Sequence, residues 1–188
     1  MNSKSKRKNG LKTVDLAYIA ICAALIAICS WISIPTVVPF TLQTFAVFVT
    51  LELIGGRRGT LSILTYILLA AIGAPVLAGF TGGLNGVLGM TGGYIIGFVF
   101  IGLLYWMSET LLGTKMPVRI AVLVVGLMVC YAFGTGWFMV VYARQTGPVS
   151  LVTALGWCVF PFIIPDLIKL GLAALLSSRL RKVIRIED

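Results

Sequence analysis

Apolar residues along this chain run in long blocks rather than in amphipathic stripes, and the polar residues gather in the breaks between blocks. The first block predicts a helix from Val14 to Ile34. Pro35 and Pro39 end it and open an extended loop, Pro35 to Thr41, because proline cannot continue a helix and restricts the residue before it. Shorter blocks predict helix 2 over Leu42 to Ile54 and helix 3 over Thr60 to Ile72. The turn Gly55-Gly56-Arg57-Arg58-Gly59 reverses the chain between them, its glycines supplying unusual backbone angles. A glycine-rich loop, Gly73 to Gly93, leads to helix 4 (Tyr94 to Leu112), helix 5 (Ile120 to Tyr142) and helix 6 (Val152 to Leu176), the last interrupted by Pro161 and Pro165.

Length and composition turn these blocks into membrane spans. Of 188 residues, 59% are hydrophobic and 11% charged, well short of the roughly one quarter charged in soluble domains. At about 20 residues per span, six spans and their loops use the chain. The expected fold is all-α and polytopic, with six transmembrane helices over 14–178, a basic tail over 1–13 and a second over 179–188. The first block follows Lys4, Lys6, Arg7 and Lys8 as a signal peptide would. It is too long for one and ends without a small-x-small site, so it reads as a retained helix.

Charge placement orients the bundle. With the first end inside, the tails and the two inner loops hold 13 of the 15 Lys and Arg. Only Arg144 falls outside, and Lys169 lies within helix 6. This positive-inside bias predicts both termini in the cytoplasm. A re-entrant hairpin of helices 2 and 3 keeps the pattern only if Arg57 and Arg58 face the cytoplasm. The net charge of +9 belongs to this orientation and not to a nucleic-acid partner.

The chain has no histidine, the commonest general base and metal ligand. Cys22, Cys29, Cys130 and Cys158 lie in apolar runs without a CxxC pair and read as small apolar filler. No metal or cofactor is implied. The sharpest polar feature is Asp166 with Lys169, three apart and on one helix face. Each ion costs roughly 2.5–3.5 kcal/mol at mid-bilayer, so the pair is either a structural ion pair or a polar cluster facing a cavity. The stretches 79–86 and 91–94 in the glycine-rich loop bring bare backbone close to a ligand or serve as spacer. On helix 1, Ala20/Ala24 and Ala23/Ala27 form small-xxx-small pairs on which another helix can pack. Trp31, Phe40, Phe80, Tyr94, Trp137 and Trp157 gather toward the outer half, as an interfacial belt or as pocket walls.

Five motifs in order, Val-Pro-Phe-Thr-Leu-Gln-Thr (38–44), Gly-Gly-Arg-Arg-Gly (55–59), Gly-Ala-Pro-Val-Leu-Ala-Gly (73–79), Thr-Gly-Gly-Tyr (91–94) and Pro-Phe-Ile-Ile-Pro-Asp-Leu-Ile-Lys (161–169), resemble the BioY family over nearly the whole chain. These are biotin-capturing S components of energy-coupling-factor vitamin importers. Met90 stands where the family usually has proline, and Phe80 and Pro165 where it has glycine.

The resemblance implies a six-helix subunit in a prokaryotic cell membrane. Such a subunit has no catalysis of its own. It binds biotin from outside and docks on a membrane coupling subunit driven by two ATPases. It implies ligand binding by Asp166 and Lys169, by Gln43 and Thr41 in the first loop, and by Thr81, Asn85 and Tyr94 along the glycine-rich loop. It implies docking through Ala20 and Ala24. Biotin suits such a site, since its ureido N–H groups need an acceptor carboxylate and its carbonyl and valerate need donors. The residues alone also admit a proton-coupled transporter working through Asp166. A membrane enzyme fits poorly, since no nucleophile-base set is present.

Overall fold

The computed structural model describes residues 11–183. Its elements are almost all helical: α1 (Thr13–Trp31), α2 (Gln43–Ala71), the short α3 (Leu84–Val87), α4 (Gly92–Leu111), α5 (Met116–Gln145), α6 (Leu151–Cys158) and α7 (Phe160–Val183). A two-residue hairpin, β1 (Ser33–Ile34) against β2 (Phe40–Thr41), sits between α1 and α2. Among the described residues, four runs are long and apolar enough to cross a membrane: α1, α4, α5 and the α6–α7 run.

The helical run of α2 is two helices. Gly55 has φ 81° and ψ 168°, outside helical space. A Cβ on Gly59 would lie 3.2 Å from the Leu51 Cα, whereas eight residues of straight helix span about 12 Å. Tyr66 likewise returns to hydrogen-bond Gln43. The arms 43–54 and 56–71 are therefore antiparallel, as the blocks predict. The turn is tighter than the expected five-residue Gly55–Gly59 stretch. Gly55 alone makes the reversal, because its φ is open to glycine. The Gly56 N–H, left without a helical partner, donates to Glu109 Oε2 at 2.6 Å, so 56–59 is already helix. With these two arms, and α6–α7 taken as one run, six helices form the bundle.

The sixth run breaks at Val159 (φ −127°, ψ −58°) rather than at a proline. Pro161 lies in the first turn of α7, where a missing N–H costs nothing. Pro165 lies inside α7 and leaves a carbonyl free one turn earlier. Helices α4 and α5 approach closely because each presents glycines to the other. A Cβ on Gly97 would lie 2.6 Å from Cys130 Sγ, and one on Gly126 3.2 Å from the Ile101 backbone. Close backbone approach through small residues is how helices gain contact in lipid, where burial alone supplies no drive.

Glycine-rich residues 73–91 are folded rather than open. Leu77 pairs with Thr81 around a 3-10 turn, and α3 follows. The stretch is tied to its surroundings on both sides. Ser30 Oγ donates to the Val76 carbonyl and Trp31 Nε1 to the Pro75 carbonyl, Trp31 stacks on Phe80, and Trp137 Nε1 donates to the Gly89 carbonyl.

Charge collects at the other end of the bundle. Arg119 pairs with Glu52 at 3.1 Å, Arg58 pairs with Asp15 at 2.8 Å, and Arg181 Nε donates to the Glu52 carbonyl. These contacts join α1, the Gly55 turn, α5 and α7.

Candidate functional site

At the end away from those ion pairs, the helices open around a cavity of about 380 Å³, within the roughly 300–1,000 Å³ of small-molecule sites. Its floor is a cluster built on Asp166 and Lys169, 2% and 6% exposed. One turn of α7 places the two side chains together, with Lys169 Nζ 2.8 Å from Asp166 Oδ1. Thr44 Oγ1 donates to the same Asp166 oxygen at 2.8 Å, and Tyr131 Oη donates to Oδ2 at 2.6 Å. Lys169 also donates to the Thr41 carbonyl at 2.6 Å and to Thr44 Oγ1 at 3.1 Å. Its ammonium lies 4.3 Å from the centre of the Phe40 ring, which stacks on Phe162.

An ammonium has three N–H donors and no acceptor. Lys169 directs all three at protein: Asp166, Thr41 and Thr44. The carboxylate of Asp166 accepts two bonds on Oδ1 and one on Oδ2. A carboxylate has about four acceptor positions, so Oδ2 keeps one for an incoming donor. The pair cancels its own charge, which makes burial of both ions bearable in a membrane protein.

The seven residues implied as ligand-binding all line this one cavity: Thr41, Gln43, Thr81, Asn85, Tyr94, Asp166 and Lys169. Gln43 is held from below, its Nε2 donating to Tyr66 Oη at 2.8 Å. Tyr94 Oη is 2.9 Å from Thr135 Oγ1, so its hydroxyl is turned to α5 and its ring forms the wall. Thr81 Oγ1 donates to the Ala78 carbonyl. Asn85 reaches the cavity from α3. The walls between these groups are apolar, with Leu77, Ile95, Phe98 and Leu127 among them.

Thr44 and Tyr131 were not singled out by sequence, although Thr44 adjoins Gln43 in the 38–44 motif. Nothing in the spacing of Tyr131, a lone hydroxyl in the apolar run of α5, points to Asp166 35 residues on. Cys130 and Cys158 line the cavity as free, buried thiols.

Helix α1 divides the two alanine pairs. Ala23 and Ala27 are buried at 1% and 6%, while Ala20 and Ala24 are exposed on its outward face. Cys22 and Cys29 are buried with the inner pair.

A family model described as the BioY family matches residues 1–186. The chain is 42% identical over 170 residues to a protein of Thermotoga maritima named biotin transporter BioY, covering 87% of this chain and 93% of that one. It is 36% identical over 172 residues to a probable biotin transporter BioY of Pyrococcus horikoshii, covering 91% and 98%. The fold is similar to a crystal structure of the S-component for biotin from an ECF-type ABC transporter. The TM-score is 0.78, with 28% identity over 92% of this chain and 95% of that one.

Proposed function

The chain belongs to the BioY family, and from that premise we propose how its cavity takes biotin and what it docks on. The protein is a multi-pass plasma-membrane component of a biotin importer of the energy-coupling-factor type, and not an enzyme.

The observation that carries the assignment is the satisfied Asp166–Lys169 pair on the cavity floor. Lys169 spends its donors on protein, so its part is to hold Asp166 and the Thr41 carbonyl in place. The open position on Asp166 Oδ2 then accepts a ureido N–H of biotin. This bond is charge-assisted and roughly twice as strong as a neutral one. The bicyclic ring with its thioether lies against Phe98, Leu127 and the Tyr94 ring. The valerate points to the cavity mouth, where Asn85 and the backbone amides of the 73–91 loop offer donors. The first arm of α2 places Gln43 and Thr44 on one side of the ring, with Gln43 steadied by Tyr66 of the second arm, while α7 supplies the other.

For partners, we propose a membrane coupling subunit carried by two ATPases, docking on the exposed Ala20/Ala24 face of α1. Both termini face the cytoplasm in this reading. The Glu52, Arg119 and Arg181 end lies there too, and the cavity opens outward.

Titration of the purified, detergent-solubilised chain with biotin tests the assignment. Saturable binding at one site per chain is expected, with strong loss for a ureido analogue that lacks the N–H donors. Absence of binding by the folded chain, or equal affinity for that analogue, overturns it.

A further inference from the structure

Behind the floor of the vitamin cavity lies a second, larger hollow of about 630 Å³. It is a groove between α5 and the α6–α7 run, walled by Val124, Met128 and Met139 on one side and by Leu155, Ile163 and Leu167 on the other. Helix α5 packs far more extensively on α4 than on α7, which leaves this seam open. Tyr131 and Leu127 line both hollows, so one wall separates them.

Water does not suit the groove. A buried water needs two to four polar partners. The only polar side chains among its lining residues are Tyr131 and Thr135, whose hydroxyls are engaged with Asp166 and Tyr94. An empty hollow this size forfeits the dispersion contacts of its whole lining. The groove is open along one side, between two helices that cross the membrane, so its mouth faces acyl chains.

Its dimensions and the aromatic pair at one end fit a lipid. From Val124 to Met139 the helix rises about 22 Å, more than the roughly 15 Å of one leaflet's share of a 30 Å hydrocarbon core. At the cavity end of the molecule, Tyr142 and Trp157 pair at 5.8 Å, as residues at a headgroup boundary do.

We propose that the α5/α6–α7 groove is a phospholipid site. One acyl chain fills the hollow and packs on the back of Tyr131, with the headgroup at the level of the Tyr142–Trp157 pair.

Gly136 provides the test, since it lines the groove and a Cβ there has open space around it. Gly136→Leu projects a side chain into the hollow from a position where an added Cβ meets nothing. Gly171→Leu, on α7 and equally open but outside the groove, is the control. Each purified protein is exchanged into detergent and its retained phospholipid is measured by native mass spectrometry, with biotin titration confirming the fold. The expected result is about one phospholipid per chain for the wild-type protein and for Gly171→Leu, and at least fivefold less for Gly136→Leu. No retained phospholipid in the wild-type protein, or equal retention in Gly136→Leu, overturns the proposal. So does a dimer of the chain that Gly136→Leu dissociates, because the groove then receives a second copy.

Discussion

Tyr131 Oη donates a 2.6 Å hydrogen bond to Asp166 Oδ2 and so joins the middle of α5 to the first turns of α7 across the cavity floor. The bond fixes the one carboxylate oxygen that Lys169 and Thr44 leave alone. Its short length and its charged acceptor mark it as one of the stronger kinds.

Removing that hydroxyl keeps the ring and its packing. Tyr131→Phe is therefore expected to fold and to bind biotin more weakly, because Asp166 Oδ2 loses its anchor and drifts from the ureido position. A hydrogen bond to a charged group is worth about 1.5–3 kcal/mol, which sets an expected loss of roughly 10- to 150-fold. Calorimetric titration of the folded variant measures it. Wild-type affinity would show that Lys169 and Thr44 position the carboxylate unaided.

The Asp166–Lys169 pair separates a ligand role from a structural one. Asp166→Asn and Lys169→Ala are each expected to weaken biotin binding at least tenfold, about 1.4 kcal/mol. Their stabilities should differ. Lys169→Ala leaves a buried carboxylate with no cation, and stranding one partner of a buried pair costs about 3–5 kcal/mol. The double variant Asp166→Asn/Lys169→Ala strands no charge. It should unfold at a higher temperature than Lys169→Ala while still failing to bind. If the double variant is the less stable of the two, the pair is held by more than mutual neutralisation.

Helix α1 offers a matched comparison on one element. Ala20 and Ala24 point outward and Ala23 is 1% exposed. Ala20→Trp or Ala24→Trp should spare biotin binding and block transport, since bulk on a small-xxx-small face keeps a partner helix away. Ala23→Trp should instead disrupt the bundle, because overpacking a filled core forces side chains and backbone to move. Transport assays in cells supplying the coupling subunit, with biotin titration of each purified variant, distinguish the two effects. Normal transport by Ala20→Trp and Ala24→Trp would place the docking face elsewhere.

Much of this architecture is legible in the sequence, and what is not has a physical reason. Apolar runs and glycines announce the helices because a bilayer demands continuous apolar segments and internally satisfied backbone. The Gly55-Gly56-Arg57-Arg58-Gly59 stretch announces the α2 reversal, but not that Gly55 alone makes it. Asp166 and Lys169 stand out because charge in a span is costly. The remaining site is tertiary. Thr44 meets Asp166 across 122 residues and Lys169 meets the Thr41 carbonyl across 128. No local spacing encodes such pairs, and a single Tyr or Thr in an apolar run resembles any interfacial residue. The glycine-rich stretch reads as an open loop because glycine favours no conformation. Its order comes from Ser30, Trp31 and Trp137, which lie on α1 and α5, outside it.

That anchoring shapes the last prediction, which concerns the loop from Gly73 to Gly93 as a lid. Ordering eight glycines carries a large backbone entropy cost. The ties to Ser30, Trp31 and Trp137 offset part of it at the two flanks, near 75–80 and at Gly89. Between them, Thr81 and Asn85 face the cavity, and the hydrogen bonds of the segment from Thr81 to Gly86 are local apart from the Gly83 N–H to the Ala70 carbonyl. A ligand that contacts this middle segment supplies the missing stabilisation and holds it closed. Hydrogen exchange across 73–93, with and without saturating biotin, should therefore change most between residues 81 and 88. It should change least where Trp31 and Trp137 already hold the chain. Trp31→Ala should release the first flank, raising exchange over 75–80 in the free protein and speeding biotin dissociation. Exchange that is the same in both states across the whole stretch would make it a fixed wall of the cavity and not a lid.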